Sequence, residues 1–310
     1  MSKTAFIFPG QGAQYIGMGK ELFDNIVVCK NIFNIADKEL NFELSKLCFE
    51  GTVEELNITE NTQPAILTTS IAALMALKEH GIKCDVTAGL SLGEYTALVC
   101  SGVMDFRDAV KLVKKRGRFM QEAVPEGIGT MAAILGLEAN LVEEACSEAR
   151  TSGIVEIANL NCPGQIVIAG EILAVELACA RAKEKGAKRV MLLSVSAPFH
   201  TSMLKPAAEK LEIELQNIDL KDINIPVMTN VNGDYVKSKD DIKGNLKLQV
   251  MSSVLWETII RNMIKDGVDT FVEIGPGKVL SGFVKKVDRK LTVVNVEDMA
   301  SLDKAVQLLK

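Results

Sequence analysis

The stretch AGLSLGEYTALVCSG, residues 88–102, decides how this chain is read. A short apolar run, residues 85–88, leads into it, Gly89 and Gly93 flank Ser91, and Leu92, Tyr95, Leu98 and Val99 follow at helical spacing. Strand, sharp turn and helix form the setting in which G-x-S-x-G works as a nucleophile elbow. Glycines belong there because the turn is strained and strand and helix pass close together. A hydroxyl at a helix N-terminus also lies near backbone N–H groups that can stabilise an oxyanion. The same spacing is met by a serine that only caps a helix, so the motif by itself leaves Ser91 as nucleophile or as cap.

Outward from this elbow, residues 4–8, 225–231, 270–274 and 291–296 read as further short buried strands, mostly separated by helical segments. Pro9-Gly10-Gln11-Gly12 ends the first, and residues 15–27 read as partly helical. Such alternation predicts a parallel sheet covered by helices. The middle of the chain changes rhythm: strand 131–135, helix 138–150, strands 154–159 and 165–169 around the turn Asn161-Cys162-Pro163-Gly164, helix 172–185, strand 189–195. This β-α-β-β-α-β order is the ferredoxin-like arrangement. The expected fold class is therefore α/β. A large domain with a parallel sheet takes residues 1–127 and 198–310, and a small ferredoxin-like domain, residues 128–197, is inserted into it. Clefts between such domains are where ligand pockets tend to form.

A serine nucleophile needs a base, and the chain has two histidines. His80 ends a helical stretch just before Gly81, where a cation complements the helix dipole, a structural role. His200 follows the last strand of the small domain in Ser196-Ala197-Pro198-Phe199-His200, just ahead of a helix read over residues 201–216, where the chain returns to the large domain. It is the candidate base. An ordinary α/β-hydrolase runs serine, acid, then a late histidine; nothing here follows His200 in that role, so a Ser91–His200 pair belongs to another serine-dependent class.

On the helix read over residues 106–121, Phe106, Ala109, Val110, Val113, Gly117 and Met120 share one arc, with Lys111, Lys114, Lys115 and Arg118 opposite. Arg116 lies at the edge of the apolar arc. An inward arginine must be paired, either with a core carboxylate such as Glu94 or Glu273 or with the carboxylate of a substrate, which a guanidinium clamps through two bonds.

Composition narrows the classes. With 310 residues, 48% of them hydrophobic, the chain can bury a large core. A net charge of −5 argues against a dedicated nucleic-acid binder, the basic clusters at residues 114–118, 183–189 and 285–290 being local. The seven scattered cysteines contain no C-x-x-C pair and read as buried thiols, with neither a disulfide framework nor a zinc site indicated. The absence of an 18-residue apolar run and of the basic and apolar regions of a secretion signal at MSKTAFIFPGQG leads to the expectation of a cytoplasmic protein with no membrane segment.

Taken together, Phe8-Pro9-Gly10-Gln11-Gly12, the elbow from Gly89 to Tyr95, Arg116-Gly117-Arg118-Phe119-Met120-Gln121, Asn159-Leu160-Asn161-Cys162-Pro163-Gly164-Gln165, Pro198-Phe199-His200 and Glu273-Ile274-Gly275-Pro276-Gly277 resemble the malonyl-CoA:acyl carrier protein transacylases along essentially the whole chain. The resemblance implies an α/β-hydrolase-like large domain and a malonyl group moved from CoA to a carrier protein, in the supply of fatty acid synthesis, through an acylated Ser91 with His200 as base. It implies an oxyanion hole from the backbone N–H groups of Gln11 and Leu92, a carboxylate clamp at Arg116, and a backbone carbonyl at Gln249 that orients the histidine, a dyad in place of a triad. Asn159, Asn161, Gln165 and Arg189 match positions near the acyl or CoA end. Phe199 resembles the bulky ring of malonyl-selective acyltransferase domains. Leu90 departs from the pattern, since many relatives carry histidine before the nucleophile. No cofactor or metal is implied; the partners expected are malonyl-CoA and an acidic acyl carrier protein docking on a basic cluster, with the enzyme a monomer. A discrete polyketide acyltransferase, a serine thioesterase or esterase, and a non-catalytic carrier-binding relative are the rival readings.

Overall fold

The computed structural model describes residues 2–193 and 197–310. Four strands, β1 (Lys3–Phe8), β2 (Val86–Gly89), β7 (Val268–Ile274) and β8 (Thr292–Val296), form a parallel sheet in the order β2-β1-β7-β8. Ala5, Phe6, Ile7 and Phe8 are buried on both faces of β1, as expected for a central parallel strand. The remaining strands, β3 (Gly129–Leu135), β4 (Val155–Cys162), β5 (Gln165–Glu171) and β6 (Arg189–Leu192), form an antiparallel sheet in the order β4-β5-β3-β6. Helices Ala139–Ala149 and Ile172–Glu184 connect β3 to β4 and β5 to β6, and their apolar residues join that sheet in a core of their own, which includes Ile134, Val142, Ile168 and Val175. The two-sheet α/β architecture is therefore that expected from the rhythm of the sequence.

Four local readings are corrected. Residues 225–231 form no regular strand: Val227 makes one parallel bridge to Thr87, and Met228 one antiparallel bridge to Tyr235. Pro226 offers no amide to a ladder, and a turn ending at Gly233, whose φ is 64°, folds the chain back. Residues 15–27 hold only the short helix Lys20–Asn25, because Gly17 and Gly19 take positive φ and Ile26 is extended before the next helix, Val27–Leu40. The helix read from residue 201 opens with a 3-10 turn, Ser202–Leu204, and becomes α-helical at Lys205–Gln216. β6 ends at Leu192; Ser194 and Val195, placed in that strand by the sequence, lie outside the described residues, as does Ser196.

The long helix Thr59–Glu79 is buried on nearly every face and carries Pro64 in its first two turns. His80 is its C-cap, followed by Gly81 at φ 76°, which is the structural role read for that histidine. The helix Phe106–Glu122 crosses Thr59–Glu79 at Gly117, where a Cβ would lie 2.5 Å from the Thr59 carbonyl oxygen. That close approach carries Arg116 into the interior. Among the described residues no helix is long and apolar enough to cross a membrane.

Candidate active site

Ser91 sits between β2 and the helix Leu92–Cys100 with φ 53° and ψ −104°, a conformation costly for a residue with a side chain. Its glycine neighbours make the turn possible. A Cβ on Gly89 would lie 1.9 Å from the Gly93 carbonyl carbon, and one on Gly93 would lie 2.1 Å from the Phe8 carbonyl oxygen. Asn230 holds the turn from outside: its Oδ1 accepts the Ser91 amide at 2.6 Å, and its Nδ2 donates to the Gly89 carbonyl at 2.7 Å. Asn230 is in turn fixed by Glu94 Oε2, which accepts its amide at 3.1 Å. The serine does not cap the following helix through its side chain, so the capping reading fails.

The Ser91 hydroxyl lies 2.8 Å from His200 Nε2. His200 also has positive φ, 62°. Its Nδ1 lies 2.8 Å from the Gln249 carbonyl oxygen. A carbonyl can only accept, so Nδ1 carries the proton and Nε2 presents its lone pair to the serine hydroxyl. Burial, then the nearby Arg116 charge, lower the His200 pKa to about 4, against the pull of the Gln249 and Ser252 backbone. The imidazole is thus neutral and able to take a proton throughout the neutral range.

Arg116 is 1% exposed and points at the same hydroxyl. Nη2 donates to Ser91 Oγ at 3.2 Å and to Gln249 Oε1 at 2.8 Å, and Nη1 donates to Gln63 Oε1 at 2.8 Å. The guanidinium carbon lies 5.2 Å from the centroid of the Tyr95 ring. Neither carboxylate offered by the sequence as its partner takes that role. Glu273 instead accepts the Leu280 and Ser281 amides at 3.0 and 2.7 Å, and Glu94 Oε2 accepts from Gln249 Nε2 at 2.7 Å. Burial pushes the Glu94 carboxyl up to about 7.

These groups open on a cavity of about 330 Å³ between the two sheets. Its floor is polar, with Gln11, Gln63, Ser91, Arg116 and His200; its walls are apolar, with Met120, Met131, Val167, Phe199 and Phe283 among them. Gln11 lies in the turn after β1, pressed against the elbow: a Cβ on the adjacent Gly10 would meet the Leu90 carbonyl oxygen at 2.5 Å. Leu92 is the first residue of its helix, where an amide has no carbonyl four residues back to pair with. Asn159, Asn161 and Gln165 line the far side, and Leu90 also faces the cavity. Lys286 Nζ donates to Gln165 Oε1 at 2.9 Å, which brings the basic cluster at residues 285–290 to the cavity's edge. Arg189 is not brought there; it stands exposed at the start of β6, opposite Leu135. Gln63, Glu94 and Asn230 were not singled out as site residues from the sequence.

Residues 5–305 match the model of the acyl transferase domain family. The chain belongs to that family. The acyl transferase is 54% identical to the malonyl CoA-acyl carrier protein transacylase of Bacillus subtilis, over 100% of this chain and 98% of that protein. Among solved structures, the malonyl CoA-acyl carrier protein transacylase of Clostridium perfringens superposes with a TM-score of 0.97 at 52% identity, covering 99% of this chain and 97% of the other. A malonyl-transacylase solved in complex with a type II PKS acyl-carrier protein superposes with a TM-score of 0.97 at 42% identity, covering 99% of this chain and all 100% of that one. The elbow, His200 and the turn at Gln11 meet in one cavity.

Proposed function

We propose that this acyl transferase moves a malonyl group from malonyl-CoA to the phosphopantetheine thiol of an acyl carrier protein. The observation that carries the reading is the placing of Arg116 Nη2 3.2 Å from Ser91 Oγ while that oxygen lies 2.8 Å from His200 Nε2. Acyl-transfer machinery and a buried cation thus share one oxygen, and an acyl group esterified there with a second carboxylate two carbons along brings that carboxylate to the guanidinium.

His200 Nε2 takes the proton of Ser91 as Oγ attacks the thioester carbonyl. The tetrahedral oxyanion is held by the N–H groups of Gln11 and Leu92. Collapse breaks the carbon–sulfur bond, and CoA leaves as a thiol with the proton from His200. The carrier's thiol then gives its proton to His200 and attacks the malonyl ester, and Ser91 Oγ leaves with that proton. Arg116 selects the dicarboxylic acyl group and keeps its ester carbonyl in register with the oxyanion site. Phe199, at the cavity wall, crowds an α-methyl branch, a discrimination of about 1–3 kcal/mol. Every group the reaction uses comes from the chain, so the reading needs no cofactor or metal. All of them come from one copy, so the reading needs no more than a monomer, and both substrates suit a cytoplasmic enzyme of fatty acid synthesis.

The strand order β4-β5-β3-β6 supports a ferredoxin-like unit over residues 128–197, inserted into an α/β-hydrolase-like unit of residues 1–127 and 198–310. Asn159, Asn161 and Gln165 then face the acyl or CoA end from the small unit, and the cluster at residues 285–290 offers an acidic carrier a cationic rim.

Incubating the enzyme with malonyl-CoA and a pantetheinylated carrier separates this reading from a thioesterase: malonyl-carrier is the expected product, and free malonate in its place would overturn it. A polyketide carrier is the second reading, favoured by the relative solved with a type II PKS acyl-carrier protein. Faster loading of a polyketide carrier than of a fatty acid one supports it.

A further inference from the structure

Buried arginines are ordinarily matched by carboxylates, because an uncompensated charge in the interior is costly. Arg116 is not. Among the described residues no carboxylate lies within ion-pair distance of it, and its protein partners besides the Ser91 hydroxyl are two amide oxygens, Gln63 Oε1 and Gln249 Oε1, each at 2.8 Å. Its Nε has no partner among the described residues. The nearest acid in the network, Glu94, is reached only through Gln249, whose Nε2 donates to Glu94 Oε2 at 2.7 Å and to the Ser91 carbonyl at 2.9 Å. Gln63 is 1% exposed, comes from the helix Thr59–Glu79, and turns its Nε2 to Met120 Sδ at 3.6 Å. Both glutamines thus fix the plane of the guanidinium, and its charge, with the Tyr95 ring beside it, is left without a direct carboxylate partner among the described residues.

We propose that Gln63 is a specificity-determining positioning residue: with Gln249 it holds Arg116 by neutral acceptors, so that the carboxylate of the incoming acyl group is the charge partner the site lacks. The inference rests on the malonyl-transfer reading and deepens it. A carboxylate at position 63 would satisfy the same hydrogen bond and occupy the charge, so hydrogen bonding and charge can be separated by substitution. Arg116 also lowers the proton affinity of His200, and an acyl carboxylate that neutralises it makes the imidazole a better base once the correct substrate is bound.

The test compares wild type, Gln63→Glu and Gln63→Met in acylation by malonyl-CoA and by acetyl-CoA across pH. In Gln63→Glu the ratio of malonyl to acetyl kcat/KM should fall by roughly tenfold or more, chiefly through KM for malonyl-CoA, on the scale of removing one charge-assisted hydrogen bond from a buried site. It should recover as falling pH protonates the introduced carboxyl. Gln63→Met, which removes the acceptor and adds no charge, should lower the ratio by only about threefold, less than Gln63→Glu and with no recovery as pH falls. A merely structural role would lower both acyl groups together and damage the methionine variant at least as much. A selective wild type with an unchanged ratio in Gln63→Glu, or an equal fall in Gln63→Met, overturns the inference alone. A wild type that does not favour malonyl overturns the parent reading and the inference with it. Should the glutamate variant not fold, the methionine ratio decides: a fall of about threefold supports the inference, and an unchanged ratio overturns it.

Discussion

Ser91 and His200 are 109 residues apart in the chain, meet at 2.8 Å, and both hold positive φ. Asn41 is the one further non-glycine residue with positive φ among those described. Backbone strain persists where surrounding structure over-determines it, and here it aims a hydroxyl and an imidazole at each other. His200→Ala is expected to lower the acylation rate by about 10³-fold or more while leaving malonyl-CoA binding measurable. Rapid-quench measurement of acyl-enzyme formation gives the comparison, and a loss under about tenfold would assign the base elsewhere.

The low proton affinity of His200 sets the acid side of the pH profile. With the free imidazole at about 4 instead of the ordinary 6.5, kcat/KM for malonyl-CoA should hold between pH 6.5 and pH 5 and fall below that. An acid limb near 6.5 would show that the imidazole is solvated in the free enzyme.

Stability should respond to pH in the opposite sense at Glu94. Its carboxyl titrates near 7 in the folded protein and near 4.5 in the unfolded chain, so the folded state binds the extra proton between those values. Its contribution is full below 4.5 and is lost as pH rises through 7, with a slope of at most about 1.4 kcal/mol per pH unit. His200 works the other way, its contribution full above 6.5 and lost as pH falls toward 4. Glu94→Gln should therefore flatten the loss of stability between pH 5 and 7.5 in urea unfolding, and an unaltered slope would assign that proton to another group.

The amide of Asn230 is expected to matter through the elbow alone. Asn230→Ala leaves the Ser91 amide and the Gly89 carbonyl without their partner, at about 1–3 kcal/mol each for a buried group. Acylation should slow by about tenfold or more for malonyl and acetyl groups alike; a change confined to one acyl group would contradict a role in the turn.

Removal of the clamp has the converse signature. Arg116→Ala should lower malonyl kcat/KM by about 100-fold or more, while acetyl loading persists or improves. Unchanged malonyl kinetics would reject the carboxylate clamp.

What was legible in the sequence follows from how local each signal is. The elbow could be read because its glycines lie within two residues of Ser91, and Arg116 because helical phase alone turns it inward. The β-α-β-β-α-β order was legible because strand and helix periods alternate over short spans. Gln63 left no such trace: the helix that carries it is buried on nearly all faces, so periodicity has no polar side from which an amide could depart. Gln63 follows Thr59, Glu60, Asn61 and Thr62 in the polar first turns of that helix, so its residue type did not stand out either. Asn230 was hidden in residues 225–231, where an apolar run reads as a strand and the proline and the returning turn decide otherwise. Gln249 was placed for its backbone carbonyl, and nothing local announces that its side chain also bridges Arg116, Ser91 and Glu94, since those partners come from two other helices and the elbow.

The most direct measurement is the intact mass of the protein after brief incubation with malonyl-CoA and no carrier. The account predicts a gain of one malonyl group, mapped to the peptide bearing Ser91, absent in Ser91→Ala and discharged on adding a pantetheinylated carrier. A wild-type protein that turns over malonyl-CoA with its mass unchanged, or that carries the group on a residue other than Ser91, would contradict it.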